Sequence, residues 1–190
     1  LAKISIDIEQ NYLKETVGLQ DSVWAGASCG PSYIKFDKEG NFSIYQLNDC
    51  KEQLEELQDH LVLIYTGDQR ISSDIAKTYY HKFESAIQTQ QEMVDLAKSG
   101  LDYLYKRDFV NFGKNISRSG VIKKSMSNKV SNSKLDNIYN RGMKYSLGIK
   151  CIGSGGGGCF LFMVKPSKKK QLIEELKEFV VNYKKKPHKA

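Results

Sequence analysis

Four consecutive glycines, Gly155 to Gly158, stand between two apolar segments of the chain. The segment that follows, 160–164, is short and continuously apolar, as expected of a strand buried on both faces. Glycine loses more conformational entropy on folding than any other residue, so an ordered run implies a backbone that no side chain can obstruct. This pattern favours the close approach of a ligand, with backbone amides directed at an anion. A tight strand-to-strand connection packed against a helix is the structural alternative.

The glycine run matches neither of two common phosphate-binding motifs. No Gly-Lys-Ser/Thr closes it, so it is not a P-loop, and a strand rather than a helix follows it, so it is not a dinucleotide fingerprint.

A single carboxylate, that of Asp21, lies among small residues between Gly18 and Ala27. Small neighbours allow a backbone or a substrate to approach closely. Aspartate is a preferred helix N-cap, so a structural role at the start of a helix is one interpretation. The other is a carboxylate held at a helix start beside a cleft.

The composition is that of a globular chain with an excess of positive charge. Its 190 residues are 40% apolar and 27% charged, and the formal net charge is +7 at pH 7. Much of the excess lies at 168–170 and 184–186, on either side of one predicted helix, where solvated lysines explain it. A general preference for anionic ligands stays open.

The four cysteines and three histidines show no metal-binding spacing, and we expect reduced thiols and no metal site. No stretch reaches membrane-spanning length and no signal peptide is visible, which predicts a cytoplasmic protein without a membrane partner. The chain begins at Leu1 without a methionine, which suggests a fragment of something longer.

Apolar periodicity predicts the elements that must position these residues. We expect a hairpin of strands at 32–36 and 42–47 and further strands at 61–65, 149–152 and 160–164. A helical turn is expected at 51–59. Helices are expected over the first dozen residues, from Ser72 or Ser73 onwards, at 108–125, from a cap at Ser133 to Gly148, and from Pro166 onwards. Their order predicts an α+β fold, with helices packed on one face of a mainly antiparallel sheet.

In this order the segments resemble the GHMP kinases, the superfamily of galactokinase, homoserine kinase and mevalonate kinase. The resemblance rests on residues 17–21, on 63–67 and on the glycine motif before a buried strand, which is its most specific part. It covers nearly the whole chain and is strongest with the D-glycero-D-manno-heptose 7-phosphate kinase branch. It implies a remnant of the N-terminal kinase domain at 1–58 and a ferredoxin-like GHMP kinase C-terminal domain at 59–190.

The family's phosphate loop, Pro-x-x-x-Gly-Leu-Gly-Ser-Ser, is absent from this chain and would be expected just upstream of Leu1. The missing N-terminal kinase half is therefore an expected partner. A second departure is Ser22, where the family pattern has glutamine after the aspartate.

The resemblance implies an ATP-dependent kinase for a hydroxyl of a sugar or sugar phosphate, with a heptose 7-phosphate expected. Asp21 would orient and deprotonate that hydroxyl, and Ser154, Gly155, Gly156 and Gly157 would line the cleft. ATP and Mg²⁺ are the implied cofactors, and we expect their main ligands outside this chain.

A heptose phosphate also carries a dianion remote from the reacting hydroxyl. Arg70, Lys123 and Lys124 are the cations expected to bind it, because arginine pairs bidentately with phosphate and lysine acts as a point charge. A solvated surface cation is the alternative for each.

Two other classes of function compete with the kinase. One is a non-catalytic module, derived from a kinase C-terminal half, that binds a ligand or a partner. The other is a nucleic-acid-binding domain, which predicts a basic face with exposed aromatic residues. The aromatic residues here fall on apolar stripes, so we expect no nucleic-acid partner. Within the kinase class, galactokinase-like and mevalonate-kinase-like substrates stay open, as does a homodimer.

Overall fold

The computed structural model describes residues 1–15, 18–27, 30–67, 87–126, 131–153 and 157–179. Arg70, Ser154, Gly155, Gly156 and the helix start predicted at 72–73 lie outside the described residues. The helices are α1 (Ala2–Asp7), α2 (Leu19–Ala27), α3 (Lys51–His60), α4 (Ile87–Tyr105), α5 (Phe109–Met126), α6 (Ser133–Met143) and α7 (Lys169–Leu176). The strands are β1 (Ser32–Phe36), β2 (Phe42–Gln46), β3 (Leu61–Tyr65), β4 (Ser146–Ile152) and β5 (Cys159–Val164).

The main sheet has the order β3-β5-β4, and both pairings are antiparallel. The continuous apolar sequence of β5 places it in the centre, where it is covered on both faces. Strands β1 and β2 form a separate antiparallel hairpin. The predicted α+β class with an antiparallel sheet is confirmed.

Two hydrophobic clusters hold helices against this sheet. Phe162 joins residues of α6 and α7, among them Leu135 and Leu172, in the first cluster. Its neighbour Met163 joins Leu104 of α4 and other residues in the second. Successive side chains of a strand point to opposite faces, so the two clusters lie on opposite faces of the sheet. Helices were predicted on one face, and the structure has helices packed on both.

Helix α5 lies unusually close to β4. A Cβ added to Gly148 would lie 1.9 Å from the carbonyl oxygen of Gly113, so neither position has room for a side chain without a shift. The hydroxyl of Ser117 accepts a hydrogen bond of 2.9 Å from the backbone N–H of Ile149. These contacts fix the first half of α5 against the start of β4, and these two elements carry the site described below.

Two predicted boundaries around α6 are wrong. The helix ends at Met143, and Leu147 lies in β4 instead of extending the helix to Gly148. The cap is Asn132, whose side chain accepts a hydrogen bond from the N–H of Leu135 while its backbone is extended, and Ser133 is the first helical residue.

The N-terminal predictions differ in detail. The predicted helix at the first dozen residues is present as α1 followed by a π-helical segment, Ile8–Tyr12. The helical turn predicted at 51–59 is the complete helix α3. The domain boundary predicted between residues 58 and 59 falls in its last turn and stays a prediction. None of the helices in the described residues is both long enough and apolar enough to span a bilayer.

Candidate active site

Asp21 is the third residue of α2, so it lies in the first turn of the helix rather than at the N-cap. Its side chain is exposed, while the next two residues, Ser22 and Val23, are buried. The Ser22 hydroxyl donates a 2.5 Å hydrogen bond to Glu9, which ties α2 to the preceding helical segment. The positive end of the helix dipole favours a carboxylate in this first turn.

A close crossing fixes α2 against α1. A Cβ on Gly26 would lie 2.7 Å from the backbone nitrogen of Ala2, so the helices could not pack this tightly with a larger residue. The small residues around Asp21 therefore serve, at Gly26, to set the position of the helix that carries the carboxylate.

Lys123, in the last turn of α5, contacts the glycine turn, the connection that runs from Gly153 to Gly158. Its Nζ donates a hydrogen bond to the carbonyl oxygen of Gly153. Burial lowers the pKa of Lys123, and the charge of Lys150 lowers it further, whereas Cys151 and, more weakly, Asp21 act in the opposite direction. Asp21 is thus close enough for its charge to bear on the ammonium that contacts the turn.

The described ends of the glycine turn have backbone conformations that favour glycine. Gly153 and Gly158 have φ values of +81° and +82°, in the left-handed region. A Cβ at either position would meet nothing within 4 Å, so the requirement at these two ends is conformational rather than steric. The carbonyl of Gly158 accepts hydrogen bonds from the backbone and the hydroxyl of Thr66, at 2.9 and 3.0 Å, which anchors the turn to the end of β3.

Lys124 has a carboxylate partner. Its Nζ lies 2.5 Å from Oδ1 of Asp136, which also accepts a 2.6 Å hydrogen bond from the Ser131 hydroxyl. These two hydrogen bonds, that from Lys124 first, lower the pKa of Asp136. Since its charge is matched within the chain, Lys124 is a weaker candidate for a substrate cation than Lys123.

A cavity of about 320 Å³ opens beside this site, between α5, α6 and β4. Its lining contains both polar and apolar residues, and comprises Gly120, Val121, Lys123, Lys124, Ser131, Leu135, Asp136, Tyr139, Asn140, Ile149, Lys150, Cys151 and Phe160. Burial lowers the pKa of Lys150 and raises that of the Cys151 thiol, because both environments disfavour the charged form.

Lys150 is the residue that sequence reasoning missed. A signal was present, because this lysine interrupts an otherwise apolar strand next to the glycine motif. Of the predicted site residues, the structure places Lys123 in contact with Gly153, places Lys124 on the same cavity as Lys123, and shows an electrostatic effect of Asp21 on Lys123. Gly157 is buried at the far end of the turn, where its carbonyl oxygen lies 3.4 Å from the Cys151 thiol.

Residues 101–182 match the family model for the C-terminal domain of GHMP kinases. Over 181 residues the chain is 27% identical to the D-glycero-alpha-D-manno-heptose 7-phosphate kinase of Campylobacter jejuni, which covers 94% of this chain and 53% of that protein. The chain thus spans about half the length of this relative.

Solved structures show the same fold. A D-glycero-D-manno-heptose 1-phosphate kinase from Bacteroides thetaiotaomicron superposes with a TM-score of 0.69 at 20% identity, covering 93% of this chain and 48% of that one. The galactokinase of Lactococcus lactis superposes with a TM-score of 0.70 at 15% identity, covering 94% and 54%. At such identities these likenesses show the fold alone.

Proposed function

We propose, on the premise that this chain carries a GHMP kinase C-terminal domain, that it is part of an ATP-dependent kinase acting on a sugar or sugar phosphate. A heptose 7-phosphate is the favoured acceptor, since the relative that covers 94% of the chain is a heptose 7-phosphate kinase. One observation supports the proposal: Lys123 donates a hydrogen bond to Gly153 of the glycine turn, and the charge of Asp21 acts on the Lys123 ammonium.

In this proposal Asp21 acts on the acceptor. Its carboxylate accepts the proton of the acceptor hydroxyl, whose oxygen bonds to the γ-phosphorus of ATP while the bond from that phosphorus to the bridging oxygen breaks and ADP leaves. A positioned base of this kind contributes about 10²–10⁴-fold to the rate. The exposure of Asp21 leaves its oxygens accessible to a substrate, while the close crossing of α1 and α2 holds its backbone in place.

Lys123 and the turn would bind charge. Phosphoryl transfer depends mainly on positioning and on electrostatic stabilisation of the transferred group. A partly desolvated ammonium is stronger in this role than one in bulk water, because its field is less screened. Lys123, Lys124 and Arg70 stay the proposed substrate-binding cations, and Ser154, Gly155, Gly156 and Gly157 the proposed lining of the cleft.

The described residues include a group suited to a phosphate of ATP but no set of magnesium ligands. ATP supplies the phosphoryl group when it is bound, and Lys123 beside Gly153 is suited to an anionic phosphate. No cluster of three or more histidine, cysteine or carboxylate side chains able to hold a metal occurs among the described residues, so no magnesium ligand is assigned to them.

The test is an assay of ADP release with ATP, Mg²⁺ and one acceptor at a time, using the protein that contains this chain at its natural length. Heptose 7-phosphate, galactose and mevalonate form the acceptor panel. We expect turnover with the heptose phosphate to exceed that with the other two. Equal background rates with all three acceptors would refute the kinase proposal.

The assignments to the cytoplasm and to a homodimer stay predictions.

A non-catalytic ligand-binding module is the second candidate. The cavity between α5, α6 and β4 favours this candidate, because the lysines that line it can bind an anion without catalysing a reaction. It predicts that a sugar phosphate binds without turnover, so calorimetric binding together with a blank ADP assay would favour the module over the kinase.

A further inference from the structure

Lys150 is a lysine of strand β4 whose side chain lines the cavity between α5, α6 and β4. The backbone of α5 lies against its stem, since a Cβ on Gly120 would be 3.6 Å from both Cα and Cγ of Lys150. Within the part of the chain that the structure describes, no hydrogen bond or ion pair satisfies its ammonium. A half-buried ammonium in this position lacks the partner that normally offsets desolvation.

The cavity has an excess of positive charge. Three lysines and one aspartate line it, and that aspartate, Asp136, is already bound by Lys124 and Ser131. Lys150 and Lys123 line the same cavity and neither has a carboxylate partner among the described residues. The charge of Lys150 contributes to the lowered pKa of Lys123. An anion carrying about two negative charges would neutralise this pair, and a phosphate monoester has about that charge at neutral pH.

The remaining lining suits a phosphate ester. The Tyr139 hydroxyl and the Asn140 amide can donate hydrogen bonds, while Leu135 and Phe160 provide an apolar wall. The volume of about 320 Å³ lies at the lower end of the range of small-ligand pockets, about 300–1,000 Å³, which is enough for a phosphate group and part of its carbon skeleton.

We propose that this cavity is a phosphate-binding site in which Lys150 and Lys123 together hold the dianion. The inference rests on the proposed function only for the source of the phosphate. In a sugar phosphate kinase that source is the phosphate that the acceptor already carries, or else a phosphate of the nucleotide. The binding chemistry itself needs neither turnover nor a second domain.

The direct test is a calorimetric titration of this chain with inorganic phosphate at constant ionic strength, with chloride as the control anion. Lys150→Met keeps the length and apolar stem of the side chain and removes the charge. Losing one charge-assisted hydrogen bond should weaken phosphate binding by about tenfold or more. Lys165→Met, an exposed lysine directly after β5, is the matched control and should bind as the wild type does. Equal affinity for phosphate in the Lys150 variant and the wild type, or no saturable binding by the wild type, would overturn the proposal.

A second measurement needs no variant. Lysine acetylation is followed by mass spectrometry with and without phosphate, and we expect protection at Lys150 and Lys123 but not at Lys165. Modification of Lys150 at an unchanged rate would contradict the site even if Lys150→Met failed to fold. Glucose 6-phosphate and AMP then distinguish the sources: stronger protection by the sugar phosphate indicates the acceptor, and stronger protection by AMP indicates the nucleotide. Because no step measures turnover, a failed kinase assay would leave these results interpretable.

Discussion

Lys123 of α5 donates a hydrogen bond from its Nζ to the carbonyl oxygen of Gly153, the first residue of the glycine turn. This contact joins two segments that are 30 residues apart in sequence. The charge of Asp21, in a third segment, also acts on this ammonium. The close packing of α5 on β4 makes it possible, since α5 brings Lys123 to the level at which β4 ends.

Asp21→Asn should lower kcat in the proposed kinase by about 10²–10⁴-fold, because an amide cannot accept the proton of the hydroxyl. The KM for the acceptor should change little, since the shape of the side chain is kept. Steady-state kinetics with a heptose 7-phosphate measure both. Asp102→Asn, at an exposed position of α4, is the matched control. A wild-type kcat in the Asp21→Asn variant would remove Asp21 from the role of base.

Lys123→Met should lower kcat/KM and also weaken the link between α5 and the turn. The loss of one hydrogen bond between a charged group and a carbonyl costs roughly 1.5–3 kcal/mol of unfolding free energy in general, and less here because the ammonium is partly solvated. Urea unfolding and kinetics on the same preparation separate the two effects. Lys114→Met is the control, because Lys114 is an exposed lysine of the same helix whose ammonium donates a hydrogen bond to the nearby Asn111. If both variants lost activity equally, the contact with Gly153 would not explain the effect.

The sequence was sufficient to predict β5, because it is a short apolar run that is covered on both faces. The strand β4 was predicted from Ile149, whereas it begins at Ser146. The sequence was not sufficient to predict the end of α6. Gly142, next to the last helical residue, was not interpreted as the end of the helix. Its lack of a side chain is needed for packing, since a Cβ would lie 2.3 Å from the ring of Phe162. That contact depends on a strand about twenty residues further on, so local periodicity carried the predicted helix too far.

The candidate site was only partly predictable for the same reason. Asp21 and Lys123 were identified through a family pattern, while Lys150 was overlooked because its burial depends on α5 crossing β4. The two consecutive lysines of α5 were treated alike from sequence. The structure distinguishes them, since Lys124 pairs with Asp136 and Lys123 does not.

The lowered pKa of Lys150 predicts how stability depends on pH. Between its folded pKa and the ordinary lysine value of about 10.4, the unfolded chain binds more protons than the folded one, so the unfolding free energy contributed by this group rises with pH. The raised pKa of Cys151 has the opposite effect as pH rises, so the measurement must be a difference between proteins. Urea unfolding of wild type and Lys150→Met across the alkaline range should show the wild type gaining relative to the variant. A constant difference across that range would mean that Lys150 is not desolvated.

Three glycine-to-alanine substitutions should separate steric from conformational requirements near the site. Gly148→Ala places a Cβ 1.9 Å from the carbonyl oxygen of Gly113, so α5 must move away from β4, at a cost of about 1–3 kcal/mol or more. Gly153→Ala meets no neighbour within 4 Å but requires alanine at φ +81°, which costs roughly 1–2 kcal/mol. Gly120→Ala is the control, because its Cβ would make only ordinary contacts at 3.5–3.6 Å and alanine favours the helix by up to about 1 kcal/mol.

The expected order of unfolding free energies places Gly148→Ala lowest, Gly153→Ala next and Gly120→Ala at or above the wild type. Phosphate binding should follow a different order. Gly153→Ala changes the backbone that accepts the hydrogen bond from Lys123 and leaves the packing of α5 intact. Gly148→Ala separates the two elements that carry Lys123 and Lys150, so it should weaken phosphate binding more than its loss of stability alone explains. A folded Gly148→Ala protein with wild-type phosphate affinity would show that the spacing between α5 and β4 does not set the distance between these two lysines.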